Sequence, residues 1–545
     1  MRKILLLLVI LSSLFALVGV SYVEGVISQS PGEETPPQIS AEKPRLKLTT
    51  VTDSIFNTYQ NEGLGSALTL AEGFRLITTG DRVQLVIEGE NASSADAIGE
   101  KVGDVGGVVE ATWENLVQAQ VPVSEITRMV ELSEVKLVRE PYRWGIHSEV
   151  VSEGVKNINS TVWKYLSFRP PAQPVKVAVL DLEFFGYDHL LGSELPLAVT
   201  PRTFRADNQI SVGKGHGTAC AEIVHDVAPD AELYLVNYDT DVEHHLAVDY
   251  LIEEKVDIVS YSISWANMGA GDGTGPICED VDRASANGII WVAAAGNDAE
   301  RHWEGAFSDP EGNGWHNFTA TDETLSVHLE YAGYPLEIYL NWDDWYDSDQ
   351  DYDLYLTNDD GEIVAFSRNN QTGTQWPTEA IFCYTPPTSG WYHIWVKKHN
   401  ATRNVKLELV IRGAWVSIEY SVPEGSISIP ADSENSIAVG ATGWWWGDPL
   451  SSFSSWGPTT DGRIKPDFTA PSGVSTATFG EGIFSGTSAA TPHVAGAFAL
   501  IKSKIGIFSW DDIFNLLAER AIDYGEPGKD IKYGYGRLNL GPPEK

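Results

Sequence analysis

Four polar residues stand at the ends of apolar runs, where reactive sites are commonly built. Asp181 closes the run VKVAVL, His216 sits in GKGHGTACAEI, Asn297 follows GIIWVAAAG, and Ser488 sits in FSGTSAATPHVAG. A serine hydroxyl is a weak nucleophile until an imidazole takes its proton, and the imidazole needs a carboxylate to hold its tautomer. Ser488, His216 and Asp181 are of the three types this chemistry requires. A side-chain amide such as that of Asn297 donates to the oxyanion formed when a carbonyl is attacked, a contact worth roughly 3 to 4 kcal/mol. The competing use of Asp181 is to cap a turn. Asp188 is the nearby rival, and no buried strand precedes it.

The elements that must position these residues are legible in the hydrophobic pattern. Val175 to Leu180 is a continuous β-branched apolar run of the kind buried within a parallel sheet, and sites form at the carboxyl ends of such strands. His216 opens a helix that leads into the apolar strand AELYLVNY, and WVAAA forms another strand. Ser488 stands at the mouth of a long helix rich in small residues, where free backbone N–H groups favour developing negative charge. Gly486 and Thr487 shape the turn that presents it. The expected fold class is α/β, a parallel sheet with helices on both faces.

The blocks HGTACAEI, VAAAGN and GTSAATPHVAG resemble the histidine, oxyanion-asparagine and serine blocks of subtilisin-like serine peptidases, and the order Asp, His, Ser agrees with that family. DIVSYSIS, LSSFSSWGPTTDGRIKPDFTAP and YGYGRLNL resemble further blocks, so the likeness covers Val175 to Asn297 and Ala431 to Leu540. The resemblance implies a catalytic triad of Asp181, His216 and Ser488 with Asn297 in the oxyanion hole. It implies a substrate-binding set of Ser262, Ile263, Ser264, Gly486 and Thr487. The activity it implies is endopeptidase hydrolysis of proteins or peptides through an acyl-enzyme, with no cofactor for catalysis. One departure stands out: the family follows its aspartate with Ser or Thr and then Gly, where this chain has Leu182 and Glu183. Two other readings follow. A sedolisin-type carboxyl serine peptidase uses a glutamate base, and the His-Gly-Thr block speaks against it. A catalytically silent binding or surface protein on a peptidase scaffold is kept open by Leu182 and Glu183.

A chain of 545 residues exceeds what one hydrophobic core organises, and its pattern divides into segments. Residues 1–22, a basic Met1-Arg2-Lys3 before the apolar run Ile4 to Val20, read as a secretory signal, which places the mature protein outside the cell. Residues 23–145 hold a polar stretch, Ser28 to Pro44, and then from Arg82 a β-α-β-β-α-β order of ferredoxin-like type. In the family such a unit is an inhibitory propeptide that assists folding and is cut away by the enzyme. Here the cut is expected between Tyr142 and Val155. Residues 146–300 and 432–545 form the two parts of the peptidase domain. Between them, 301–431 alternates aromatic and polar residues in short runs bounded by turn residues, the pattern of an inserted β-sandwich or jelly roll.

Within that insert NWDDWYDSDQDYDLYL gathers Asp343, Asp344, Asp347, Asp349, Asp351 and Asp353, a carboxylate density suited to a structural calcium ion, against the alternative of a solvated acidic loop. The balance of 37 basic against 76 acidic residues, net −39, repels phosphates and excludes nucleic acid and anionic membranes as natural partners. No second apolar stretch of about 18 residues follows the signal, so no membrane partner is expected once it is removed. Three cysteines cannot form a disulfide framework, and Cys220 and Cys278 are either one pair or buried thiols. His244 and His245 fall in an acidic stretch that reads as exposed. Trp265 reads either as a wall of the substrate pocket or as a core aromatic.

Overall fold

The computed structural model describes residues 47–74, 76–141, 152–164, 174–346, 348–445, 449–505 and 509–543. The expected signal, the stretch Ser28 to Pro44 and positions 142–151 of the expected cut lie outside the described residues.

Seven parallel strands form the central sheet, in the order Phe468–Ser472, Ser436–Gly443, Ile290–Ala294, Ile258–Tyr261, Lys176–Asp181, Glu232–Asn237, Thr200–Thr203. Side chains alternate across a strand, so Val177 and Val179 enter the core on one face while Ala178 and Leu180 enter the core on the other. The first face is covered by the helices His216–Val227, Thr487–Lys504 and Trp510–Arg520, the second by Asp241–Glu254 and Pro276–Ala286. This is the expected α/β fold with helices on both faces. Thr487–Lys504 is buried from Thr487 to Ile501, which explains a composition of alanine, glycine and threonine rather than an amphipathic stripe. Among the described residues, no helix is long and apolar enough to cross a membrane.

Ahead of this sheet, Val135–Arg139, Arg82–Gly89, Leu116–Pro122 and Val108–Trp113 lie side by side in that order, all antiparallel, with the helices Ser94–Asp104 and Ile126–Val130 between consecutive strands. Two further helices, Thr50–Glu62 and Leu64–Gly73, were not expected from sequence. TVTDSIFNTYQNE is rich in β-branched and polar residues of modest helix propensity. It is held by the Thr49 cap on the Thr52 amide and by Ile55 and Phe56 in the unit's core.

Between Ile290–Ala294 and Ser436–Gly443 the chain forms two antiparallel sheets. One is His302–Ala306, Lys406–Gly413, Leu336–Trp342 and Thr378–Tyr384; the other is Ile363–Ser367, Asp351–Asn358, Gly390–Asn400, Leu325–Leu329 and Val416–Ile418. Both contribute to one apolar core that includes Ile338, Leu409, Leu354 and Ile394.

Candidate active site

Three adjacent strands of the central sheet end side by side, and their carboxyl ends deliver three parts of the site. Lys176–Asp181 ends on Asp181, Ile258–Tyr261 leads into Ser262 to Ser264, and Ile290–Ala294 leads into Asn297. The helices His216–Val227 and Thr487–Lys504 begin beside them and supply His216 and Ser488. Their first turns meet where Cys220 Sγ approaches the Ser488 carbonyl at 3.5 Å.

Asp181 is fully buried, and its two carboxylate oxygens lie 2.9 and 2.8 Å from His216 Nδ1. The Leu182 amide donates to Oδ1 at 2.8 Å. That arrangement holds the His216 proton on Nδ1 and leaves Nε2 as the basic nitrogen. Burial works against a charged imidazole, but the charge and hydrogen bond of Asp181, with Glu183 behind, outweigh it and raise the His216 pKa above its ordinary value. Gly217 makes the close approach possible: a Cβ there would come within 2.7 Å of Asp181 Cβ.

Leu182 and Glu183, where the sequence departs from the family, have defined work. The Glu183 carbonyl accepts from the Gly217 amide at 2.8 Å, and its carboxylate accepts from the Lys214 amide at 2.6 Å. Glu183 thereby ties the loop ahead of His216 to the strand end that carries Asp181. Sequence reasoning missed this role, because it depends on the loop folding back onto a residue some thirty positions earlier.

Ser488 Oγ donates to the Ser262 carbonyl at 3.1 Å, and Ser262 Oγ donates to the Ser488 carbonyl at 2.9 Å. His216 Nε2 is buried and has no partner among the described residues, so the serine–imidazole hydrogen bond is not formed. In sites of this kind that bond commonly tightens only when substrate binds. Asn297 Oδ1 accepts from the Thr487 amide at 2.9 Å and from Thr487 Oγ1 at 3.0 Å, which orients the amide with Nδ2 beside Gly486. Gly486 has φ 126°, and a Cβ there would lie 3.0 Å from Nδ2. Of the other expected substrate-binding residues, Ile263 is buried and Ser264 Oγ receives a hydrogen bond from Arg412 at 3.1 Å.

Among the described residues, the aspartates of the acidic run turn to several partners. Asp343 and Asp344 both bind Arg403, at 3.2 and 2.7 Å, and Asp353 accepts from Tyr355 at 3.0 Å. Asp349 accepts from Gln350, Asp351 is buried in its strand, and Asp347 lies outside the described residues. The Arg403 guanidinium thus holds one carboxylate oxygen each of Asp343 and Asp344. None of Cys220, Cys278 and Cys383 is joined in a disulfide; Cys220 and Cys278 are buried, and Cys383 Sγ approaches Glu337 Oε1 at 3.6 Å. Trp265 is a core aromatic, with Nε1 donating to Tyr261 at 2.7 Å. His244 and His245 are buried rather than exposed, with both Nδ1 atoms on Asp280 Oδ2 at 2.8 and 2.6 Å. Trp113 of the leading unit stacks on His245 with ring centroids 3.7 Å apart, which is why the local sequence did not show that burial.

A parallel α/β sheet with Asp, His and Ser at these element ends defines the architecture of subtilisin-like serine peptidases. The model of the subtilase family matches residues 196–379 and 421–536, more than half of the chain, and the chain belongs to that family. The match begins after Asp181. Subtilisin Savinase of Lederbergia lenta is 39% identical over 115 residues, 21% of this chain and 40% of that protein. Bacillopeptidase F of Bacillus subtilis (strain 168) is 36% identical over 124 residues, 21% of this chain and 8% of that protein. The chain thus spans less than half the length of these curated relatives. The solved structure of the Clostridium perfringens CspB protease matches 72% of this chain and 98% of its own at a TM-score of 0.53 and 17% identity, a likeness of fold.

Proposed function

We propose that this protein is a secreted, self-processing serine endopeptidase. The observation that carries the reading is the buried Asp181–His216 pair at 2.8 Å beside a serine at a helix mouth and an asparagine amide fixed by Thr487. Ser488 Oγ attacks the scissile carbonyl while His216 Nε2 takes its proton. The charge that develops on the carbonyl oxygen is met by Asn297 Nδ2 and by the N–H groups at the start of Thr487–Lys504. His216 then returns the proton to the leaving amine, and water repeats the sequence on the acyl-enzyme. Asp181 orients the imidazole and stabilises the imidazolium. Substrates are proteins or peptides.

The leading unit supports the reading of a propeptide by the way it sits on the catalytic sheet's helices. Arg139 pairs with Asp241, Gln118 binds Glu243 at 3.2 Å and accepts from Thr240 at 2.6 Å, and Val86 and Leu116 pack on Val242. Its last strand, Val135–Arg139, runs directly into the expected cut region.

The test is mass spectrometry of purified protein after exposure to a fluorophosphonate, mapping the labelled residue and the new N-terminus. Label on Ser488 and a start between Tyr142 and Val155 are expected, and Ser488→Ala should lose both. An unlabelled, full-length wild type would favour the silent scaffold instead. A Ser488→Ala chain that still loses its leading unit in pure form would remove self-processing.

A further inference from the structure

Asn297 and the substrate-binding segment Ser262 to Ser264 belong to adjacent strands, but the chain leaves the catalytic sheet just after Asn297 and returns only beyond Val416–Ile418. A loop whose far end is more than a hundred residues away is weakly held by chain continuity, so the position of Asn297 needs other restraints. Thr487 and Ser455 supply some of them, with the Ser455 amide on the Gly296 carbonyl at 3.0 Å and the Asp298 amide on Ser455 Oγ at 3.1 Å, and the insert supplies others. Arg412, in the strand Lys406–Gly413, is buried and crosses into the site. Its Nη2 donates to Asp298 Oδ2 at 3.0 Å and to Ser264 Oγ at 3.1 Å, and its Nη1 reaches the Ser264 carbonyl at 3.5 Å. Asp298 follows Asn297 directly, and Ser264 is two residues beyond Ser262, which holds Ser488.

A second strap runs parallel to the first. Arg301 donates to the carbonyl of Gly413, the residue after Arg412, at 2.8 Å and to the carbonyl of Asn297 at 3.2 Å. On the far side, Asn267 Nδ2 donates to the Leu340 and Glu379 carbonyls of the insert at 3.2 and 3.1 Å. Arg412 is itself rigid: its backbone is paired opposite Glu337 in the sheet, and its guanidinium lies over the Tyr339 ring at 5.7 Å. A planar guanidinium with fixed donor directions suits the task of setting the spacing of two acceptors.

We propose that Arg412 is a positioning residue for the oxyanion donor: it fixes the distance between the end of the substrate-binding strand and the Asn297 loop, which makes the inserted unit a structural part of the active site. The inference rests on the peptidase reading above. A misplacement of about 1 Å costs roughly a hundredfold in rate, so the effect should appear in kcat and only weakly in KM.

The decisive experiment is a double-mutant cycle with Asn297→Ala, reading kcat and KM on a peptide p-nitroanilide per fluorophosphonate-titrated site. Each protein is first matured by a trace of wild type that is then removed. Arg412→Met is made together with Asp298→Asn, so that the ion pair is removed as a unit and Asp298 is not left charged without it. That pair should lower kcat about 30- to 100-fold, with KM changed less than about threefold. In the Asn297→Ala background the same pair should cost less than about threefold, because the donor it positions is gone. Ser264→Ala, which removes one acceptor and keeps the ion pair, is the mild variant should the pair not fold. It should lower kcat about three- to tenfold with the same dependence on Asn297. Equal losses with and without Asn297, or no loss in kcat, would overturn the proposal while leaving the peptidase reading intact. A wild type that neither labels nor hydrolyses would instead sink that reading.

Discussion

Thr487 spends both its amide and its hydroxyl on Asn297 Oδ1, and the hydroxyl also accepts from the Gly296 amide at 3.3 Å. An oxyanion donor is useful only when its direction is set before substrate arrives. Thr487→Val keeps the backbone donor and removes the other two bonds. We expect kcat to fall about tenfold with KM nearly unchanged, against a fall of about 10²- to 10³-fold for Asn297→Ala. Steady-state kinetics of both variants checks this, and an unaltered kcat for Thr487→Val would show that the backbone amide alone suffices. His216, Asn297 and Ser488 were legible because each sits in a short block whose neighbours are fixed by local geometry. Glu183 and Arg412 were not, because their partners are set by loops and strands remote in sequence.

The helix His216–Val227 begins at His216 and carries Glu222 six residues on. Glu222 crosses to another segment and accepts from the Ala477 amide at 2.6 Å and the Thr478 amide at 3.2 Å. Burial pushes its carboxyl up to about 7 from an ordinary 4.5, with the hydrogen bonds from Thr478 and Ala477 opposing part of that rise. A carboxyl whose folded pKa is raised binds its proton more tightly in the folded chain. Its contribution is therefore complete below about pH 4.5 and is lost as pH climbs to about 7. Melting curves in a Ser488→Ala background should fall more steeply between those limits for Glu222 than for Glu222→Gln. Parallel curves would show that the folded chain does not hold this proton. The helix Asp241–Glu254 shows the limit of pattern reading at this scale. Its start is a capping box of Thr240 and Glu243, but DVEHHLAVDYLIEE carries five acidic residues and reads as exposed. Only packing against Asp280 and Trp113 reveals which side is buried.

Across the whole molecule, the leading unit, the central sheet with its helices and the insert touch one another. The leading unit binds the helix Asp241–Glu254 through Arg139, which is buried with Asp241 and also pairs with Glu88 at 2.6 Å. It touches the insert as well, where the Arg368 amide donates to Thr50 Oγ1 at 2.9 Å. Removing one partner of a buried ion pair typically costs about 3 to 5 kcal/mol because the other charge is stranded. Arg139→Ala should therefore loosen the leading unit and shorten the lag between the first cut and the appearance of activity against added peptide. An unchanged lag would mean that release of this unit does not limit activation.

By itself the sequence determined the α/β class, the order of the units and the residues at the strand and helix ends, since burial periodicity and short motifs act over a few positions. It also carried a change of pattern between residues 301 and 431, where the chain forms the two antiparallel sheets. Only the tertiary structure decided what each side chain faces. It turned Asp343 and Asp344 toward Arg403, and it buried His245 beneath another unit's tryptophan. It also brought Arg412 of the insert to Ser264 and Asp298. Those contacts join residues far apart in the chain, and their energies depend on mutual burial and direction, which no local pattern encodes.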